Sequence, residues 1–264
     1  MELTFTQYSI LYNMLSLTAA TMAASGIFFI AARGQVAKEF RPSLIMSAVV
    51  VFVASYHYFR IFGSLDGAFE LVGGEGGTSR AGTYVPAAEG EPFNEAYRYA
   101  DWIITVPLLL AELISVMQLK KSGGLLFRLI LATVAMLVTG YIGEVGYEAG
   151  SGGYALWGTI SSIPFAYIVY VLFAEMSDAI QDQPGHAKVL LRNMRYLLLF
   201  AWGFYPIVYC FPFLGISGPS AFVGINVGYA IADLTAKAGW GIMIYGVARA
   251  KTEAKEAAGA TAAA

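Results

Sequence analysis

The sequence predicts an all-α membrane protein, a bundle of seven transmembrane helices. Of its 264 residues 58% are hydrophobic and 13% are charged, and the mean hydropathy is +0.62. Ordinary soluble domains carry far more charge and far less apolar surface. Seven apolar stretches are each about long enough to cross roughly 30 Å of hydrocarbon; they span 8–32, 43–64, 96–119, 123–145, 152–177, 190–213 and 218–248.

The positive charges predict the orientation of the bundle. The first apolar stretch has no basic leading region and no small-residue cleavage site, so we expect it to stay in the membrane rather than to be removed as a signal peptide. Twelve of the 16 Lys and Arg residues lie at the connections after the first, third and fifth stretches or near the C-terminus; the other four are Arg60, Arg80, Arg98 and Lys237. The positive-inside rule therefore places the N-terminus outside and the C-terminus in the cytoplasm.

One connection is long and lies on the predicted outer side, between the second and third stretches. Its pieces "FELV" and "GTYVP" predict a short β-hairpin. The run "VGGEGGTS" between them lacks the lysine of a phosphate-binding loop and does not lead directly into a helix, so we do not expect nucleotide binding. We expect one domain over residues 1–250 and a disordered cytoplasmic tail of small residues over 251–264. No metal site is predicted, and the absence of a basic stripe with interleaved aromatic residues argues against nucleic acid as a partner.

Five ionisable residues interrupt the apolar stretches. Arg98, Asp101 and Glu112 lie in the third stretch, and Asp233 and Lys237 lie in the seventh, in "YAIADLTAKAGWG". Such residues cost several kcal/mol each inside a membrane, so they indicate function and partners. The step from Asp101 to Glu112 is within about 20° of three full helical turns and rises about 16 Å, so both side chains share one stripe of the helix.

These charges could instead do no more than hold the helices together. Arg98, Asp101, Asp233 and Lys237 would then form a neutral quartet. That interpretation leaves Glu112 alone on the cytoplasmic side, where an unpaired carboxyl group favours its neutral form. A proton relay requires a carboxylic acid that stays neutral until it gives up its proton.

In order and spacing, these motifs resemble the microbial rhodopsins, seven-helix proteins that carry all-trans retinal as a Schiff base on a lysine of the seventh helix. In "DLTAK", Lys237 corresponds to that lysine and Asp233 to the second counterion. The resemblance makes Asp101 the primary proton acceptor and counterion and Glu112 the cytoplasmic proton donor. It covers the second to seventh helices and also implies a retinal pocket, built from Trp102, Leu109, Met136, Gly140, Ser161, Phe165, Trp202, Tyr205 and Pro206.

The identities Asp, Thr and Glu at 101, 105 and 112 resemble outward proton pumps of the proteorhodopsin and xanthorhodopsin kind. Sodium pumps carry Asn, Asp and Gln there, and chloride pumps of that branch carry Asn, Thr and Gln. His57, in "SYHYFRIF", matches the histidine that these pumps place beside the acceptor, so we expect it to hydrogen-bond to Asp101. Arg98 would offset the charge of the counterions, and Thr105 would orient the local hydrogen bonds.

The resemblance also implies a light-driven ion transporter, not an enzyme, in the inner or plasma membrane of a bacterium. Protons and the lipid bilayer would be its partners, and a homo-oligomer, a trimer or a pentamer, is expected.

Gly158, in "LWGTISSIPF", matches the glycine that opens a window for a hydroxylated carotenoid antenna in xanthorhodopsin; alternatively it is a packing glycine. In the archaeal pump, a pair of extracellular glutamates releases the proton. This sequence has no evident counterpart of that pair, and Ile225 stands at one of the two positions.

Two other functions remain open at this point. A photosensory receptor would use the same pocket to signal to a partner, but it gains nothing from a proton donor such as Glu112. A seven-helix receptor for a chemical ligand would bind no retinal and would show no visible absorption band.

Overall fold

The computed structural model describes residues 1–73, 81–119 and 122–263. Lys120 and Lys121, two of the twelve basic residues that predict the orientation, lie outside these ranges, as do Arg80 and most of the glycine-rich run. Within them the chain forms nine α-helices: α1 (Phe5–Ala32), α2 (Arg41–Ala68), α3 (Ala96–Met117), α4 (Gly123–Glu148), α5 (Tyr154–Tyr170), α6 (Ser177–Gln181), α7 (Gly185–Tyr209), α8 (Pro219–Asp233) and α9 (Trp240–Ala263).

These helices make the seven membrane segments that the sequence predicts. Five described segments are long and apolar enough to cross a membrane by length and composition; they are Phe5–Gln35, Lys38–Ala68, Ala96–Met117, Gly123–Tyr147 and Tyr154–Glu175. The sixth, α7, is more charged because Lys188, Arg192 and Arg195 lie in its first half. The seventh consists of α8 and α9, joined by a π-helical turn at Leu234–Gly239.

A three-stranded antiparallel sheet lies between the ends of α1, α2 and α3. Its strands are β1 (Leu3–Thr4), β2 (Phe69–Val72) and β3 (Thr83–Pro86), in the order β1-β3-β2. The predicted hairpin of β2 and β3 is confirmed. Strand β1 was not predicted, because two residues are too few to show the alternation typical of a strand.

The sheet is attached to the bundle through aromatic contacts. The ring of Tyr8 on α1 stacks on the ring of Tyr84 on β3, with centroids 3.6 Å apart. The Tyr8 hydroxyl donates to Asp66 Oδ1 of α2 over 3.2 Å. A capping box at Thr4 and Gln7 starts α1 directly after β1, so the N-terminal residues are held on both sides.

The last helix is longer than expected. The composition of 251–264 predicts a disordered tail, whereas in the structure α9 continues to Ala263. Alanine, glutamate and lysine all have high helix propensity, and an ion pair between Arg249 and Glu253, one turn apart, adds a small contribution.

Lys251 joins three elements at the cytoplasmic end. Its Nζ donates to the carbonyl oxygens of Val116 (2.9 Å) and Met117 (3.0 Å) at the end of α3. It also donates to Oε1 of Gln183, between α6 and α7, over 2.8 Å. A cation at this position satisfies carbonyl groups that the end of a helix leaves without partners.

We therefore predict that Lys251→Met, which keeps the apolar stem and removes the three hydrogen bonds, destabilises the protein by about 1–2 kcal/mol. The melting temperature should fall by about 4 °C, measured by the loss of helical circular dichroism. Lys255→Met is the matched control, because Lys255 pairs with Glu39 at an exposed position. Equal melting temperatures of the two variants would contradict the role of Lys251.

Candidate functional site

The centre of the bundle holds a lysine between two aspartates. Lys237 lies in the π-helical turn between α8 and α9, and its Nζ is 2.5 Å from Asp101 Oδ2 of α3 and 3.0 Å from Asp233 Oδ1 of α8. None of the three residues is more than 2% exposed. A cation buried this deeply persists because its two carboxylate partners are within direct contact.

The two aspartates have different surroundings. Asp233 accepts hydrogen bonds from the hydroxyls of Tyr58 (2.8 Å) and Tyr205 (2.6 Å) and, over 3.3 Å, from the indole of Trp102. These donors come from α2, α7 and α3, so one carboxylate joins four membrane segments. A carboxylate with this many donors is strongly stabilised as the anion.

Asp101 has fewer partners. Its Oδ2 pairs with Lys237, while its Oδ1 has no hydrogen-bond partner among the described residues. The Thr105 hydroxyl donates to the backbone carbonyl of Asp101 over 3.0 Å rather than to the carboxylate. Asp101 therefore has an oxygen that is able to carry a proton.

The expected hydrogen bond between His57 and Asp101 is not formed in this structure. His57 Nδ1 lies 2.9 Å from the carbonyl oxygen of Val53, one turn earlier on α2. The imidazole is still near enough to interact electrostatically with the Asp101 carboxylate. The difference arises because a helical histidine can bond to the carbonyl of its own preceding turn, a local partner that competes with the one across the bundle.

Arg98 lies one turn outward from Asp101 and is 2% exposed. Its Nη2 donates to Asn226 Oδ1 over 2.5 Å, and its Nη1 donates to the Tyr58 hydroxyl over 3.4 Å. Its guanidinium also lies over the ring of Tyr229, 4.9 Å from the centroid. Arg98 thus reaches Asp233 through Tyr58 and not by a direct ion pair, so the quartet considered from the sequence divides into a three-residue cluster and a linked arginine.

Glu112 lies on the cytoplasmic side of this cluster and is fully buried. Its Oε2 accepts a hydrogen bond from the Ser47 hydroxyl of α2 over 2.7 Å, and its Oε1 has no partner among the described residues. The indole of Trp240 on α9 lies beside it and is 1% exposed. No described cation pairs with Glu112, so the isolated carboxyl group expected from the sequence is also isolated in the fold.

An apolar cavity of about 320 Å³ opens beside Lys237. Its lining brings together, from four membrane segments, the nine pocket residues proposed from the resemblance: Trp102, Leu109, Met136, Gly140, Ser161, Phe165, Trp202, Tyr205 and Pro206. Ser161 also donates to the carbonyl of Met136 over 2.7 Å, which fixes α5 against α4 at the wall of the cavity. A polyene chain fits a cavity of this size and polarity, with the amine and its counterions at one end.

Gly158 lines the same cavity, but the space over it is partly filled. A Cβ atom at this position would lie 2.5 Å from Cε1 of Tyr209. The Tyr209 ring stacks on Tyr154 with centroids 4.0 Å apart, and its hydroxyl donates to the Tyr154 carbonyl over 3.2 Å. Beyond this ring, the lining reaches exposed residues of α5 and the end of α7, namely Ala155, Thr159, Ser162 and Cys210.

Three polar residues of the site were not singled out from the sequence. Tyr58 is adjacent to His57, and Asn226 precedes Asp233 by seven residues, which places it two turns away on the same face of α8. A search for polar residues in register with Asp233 would have found Asn226, whereas the partner of Tyr58 lies on another helix. Ser47 offers no such signal, since its partner Glu112 is on another helix.

Comparisons with known proteins agree with this geometry. Residues 10–250 match the family described as bacteriorhodopsin-like protein. The green-light absorbing proteorhodopsin of Gamma-proteobacterium EBAC31A08 is 30% identical over 235 residues, which cover 88% of this chain and 84% of that protein. The crystal structure of xanthorhodopsin, a light-driven ion pump with dual chromophore, is 47% identical with a TM-score of 0.88 and covers 97% of this chain and 98% of that one.

A second solved structure, that of thermophilic rhodopsin, is 44% identical with a TM-score of 0.88 and covers 96% of this chain and 98% of that chain. The family match covers most of the chain, and both similar structures extend over nearly all of it. The chain therefore belongs to the bacteriorhodopsin-like protein family, among the microbial rhodopsins.

Proposed function

We propose that this protein is a light-driven outward proton pump of a bacterial cell membrane, with retinal bound covalently to Lys237. One observation carries the proposal: the Lys237 nitrogen is buried between two carboxylates, and a third carboxyl group, Glu112, is buried on the other side without a cation among the described residues. The pumps named among the similar proteins support it. When bound, retinal would supply the absorption of visible light and a light-driven change of shape next to the Lys237 nitrogen.

Several residues would hold the polyene. Trp102 on α3 and Trp202 on α7 line the cavity, are buried and offer flat apolar surfaces. Leu109, on the same wall, adds no dipole near the chromophore. Tyr205 and Trp102 both bond to Asp233, so the walls of the cavity and the counterion are held by the same contacts.

Asp101 would accept the proton. Its Oδ2 lies 2.5 Å from the Lys237 nitrogen, within the distance for direct transfer, and its other oxygen has no hydrogen-bond partner among the described residues. Asp233, with its three neutral donors, would remain the anion and balance the remaining charge. The different surroundings of the two aspartates therefore favour different roles for them.

Glu112 would return a proton to the Lys237 nitrogen from the cytoplasmic side. Burial among apolar side chains favours its neutral, proton-carrying form, and the hydrogen bond from Ser47 leaves Oε1 able to hold the proton. A proton leaves the nitrogen toward Asp101 on the outer side and is replaced from Glu112 on the inner side. Net transport is then outward.

A carotenoid antenna is the finer part of the proposal. The similar xanthorhodopsin is a light-driven ion pump with dual chromophore. In this chain the cavity beside Gly158 extends to exposed residues of α5 and α7, where a long apolar molecule could lie against the bundle. The Tyr209 ring over Gly158 would have to turn aside for a ring-ended, hydroxylated carotenoid to enter.

Lys237→Ala should yield a colourless protein after incubation with all-trans retinal, because it removes the only amine among the described residues that line the cavity. The measurement is the visible absorption spectrum of the purified protein. Lys251→Met is the control and should keep the band, since Lys251 lies at the cytoplasmic end of the bundle. A normal visible band in Lys237→Ala would disprove the attachment site.

Glu112→Gln should slow the return of the proton to the Lys237 nitrogen by about 100-fold or more, because the side chain keeps its shape and loses its proton. The readout is the recovery of the visible band after a light flash, with added azide expected to restore part of the rate. Glu175→Gln is a matched control on the same half of the bundle, because Glu175 pairs with Arg128 at an exposed position. Recovery at the parental rate in Glu112→Gln would mean that another group is the donor.

Gly158→Trp should abolish carotenoid binding and leave retinal-driven pumping in place. An indole at 158 fills the slot and displaces the Tyr209 ring, which already lies 2.5 Å from the position of an added Cβ. Binding is measured as structured blue absorption, induced circular dichroism and a carotenoid contribution to the action spectrum of pumping. Gly224→Trp, at an exposed position of α8 with no described atom within 4 Å of an added Cβ, should keep all three signals. If the parent protein binds no carotenoid, or if Gly158→Trp retains the signals, Gly158 is a packing glycine.

A further inference from the structure

A hydrogen-bonded chain leads outward from Arg98. Its guanidinium donates to Asn226 Oδ1 over 2.5 Å, and Asn226 Nδ2 donates in turn to Glu95 Oε1 over 3.0 Å. Asn226 is fully buried, and a second bond from its Nδ2 to the carbonyl of Phe222 fixes its amide. Glu95 is half-buried at the residue preceding α3. One amide side chain thus links the buried cation to a carboxylate near the outer surface.

A second cavity makes this carboxylate accessible. It has a volume of about 800 Å³ and lies at the end of the bundle that carries the sheet. Its lining includes Glu95 and reaches Arg98 and Trp102, which also lines the cavity beside Lys237. A cavity of this size whose wall carries arginines and carboxylates admits water, which can conduct protons where side chains are not in contact.

The chemistry of the residues along this route singles out one of them. A guanidinium stays protonated, and a neutral amide does not exchange protons at a useful rate, so Arg98 and Asn226 can orient a proton acceptor but cannot be one. Glu95 is the first carboxylate on the hydrogen-bonded chain. It lies six residues, or about 9 Å of helix rise, from Asp101, so water must bridge the gap.

We propose that Glu95 is the outer relay that passes protons from Asp101 to the external medium, with Asn226 as its positioning residue. The inference rests on the proposed pump. The O–H bond of the Asp101 carboxyl group breaks and leaves a carboxylate beside Arg98. An O–H bond forms at Glu95 through the intervening water and then breaks, which delivers the proton to water in the outer cavity and restores the Glu95 carboxylate.

Glu144 is the competing group, because it also lines the outer cavity and accepts a hydrogen bond from the Tyr99 hydroxyl over 3.4 Å. The link through Asn226 to Arg98 favours Glu95, because Arg98 donates to the Tyr58 hydroxyl, which donates in turn to Asp233 of the central cluster. Glu91 lines the same cavity at an exposed position and, among the described residues, takes no part in the hydrogen bonds of this route, so it provides a matched control.

The test is a time-resolved measurement on the full chain reconstituted with all-trans retinal in lipid vesicles, with a pH-indicator dye in the medium facing the outer end. Glu95→Gln should delay the appearance of the proton after a flash by about ten-fold or more. The position of the visible band should stay unchanged, which shows that the fold and the central cluster are intact. Glu95→Asp, which retains a carboxylate, should restore much of the parental timing.

Asn226→Ala should produce a delay of similar size, and combining it with Glu95→Gln should add nothing, because both changes interrupt one route. Glu91→Gln should release the proton with parental timing. Parental timing in Glu95→Gln, an equal delay in Glu91→Gln, or a delay confined to Glu144→Gln would each overturn the assignment. If the parent protein itself releases no proton in light, the pump proposal fails instead, and the two failures are thereby distinguished.

Discussion

The structure depends on one interaction, the contact of the Lys237 ammonium with the carboxylates of Asp101 and Asp233. Each of these charges costs several kcal/mol to remove from water, and the costs are offset only while all three remain together. Removing one partner from such a buried cluster destabilises a protein by roughly 3–5 kcal/mol. The need to keep the three charges in contact holds α3 against the π-helical turn of the seventh segment. The position of the cavity beside the lysine depends on this contact.

The neighbours of the two aspartates give the two carboxylates different chemical properties. Tyr58, Tyr205 and Trp102 all donate to Asp233, so that carboxylate is both an anchor for the bundle and a fixed negative charge. Among the described side chains, the carboxylate of Asp101 is bonded to the lysine alone and keeps one oxygen available. A proton that leaves the lysine is therefore better accommodated on Asp101, and in the proposed pump this preference sets the first step of transport in the outward direction.

The two halves of the bundle differ in their access to water. Toward the sheet, a cavity reaches Arg98 and carries several carboxylates on its wall. On the other side, Glu112 is fully buried, and its neighbours Ser47 and Trp240 are buried as well. In the proposed pump, an open outer half would favour release of a proton, and a closed inner half would keep Glu112 neutral until it returns its proton. In the proposed pump, this asymmetry would keep water from forming a continuous path through the protein, along which protons would flow back.

The sequence alone determined the seven segments, the hairpin and the stripe of Asp101 and Glu112 on α3, because hydrophobic length and helical periodicity are local properties of a chain. The residues that line the cavity beside Lys237 followed from the resemblance to the microbial rhodopsins, and not from helical spacing within this chain. The tertiary structure decided which groups meet across helices. It joined Ser47 to Glu112, Asn226 to both Arg98 and Glu95, and the Tyr209 ring to Gly158, and it turned His57 toward Val53. These contacts depend on the rotation and depth of neighbouring helices, which packing sets for the whole bundle at once and which no single segment encodes.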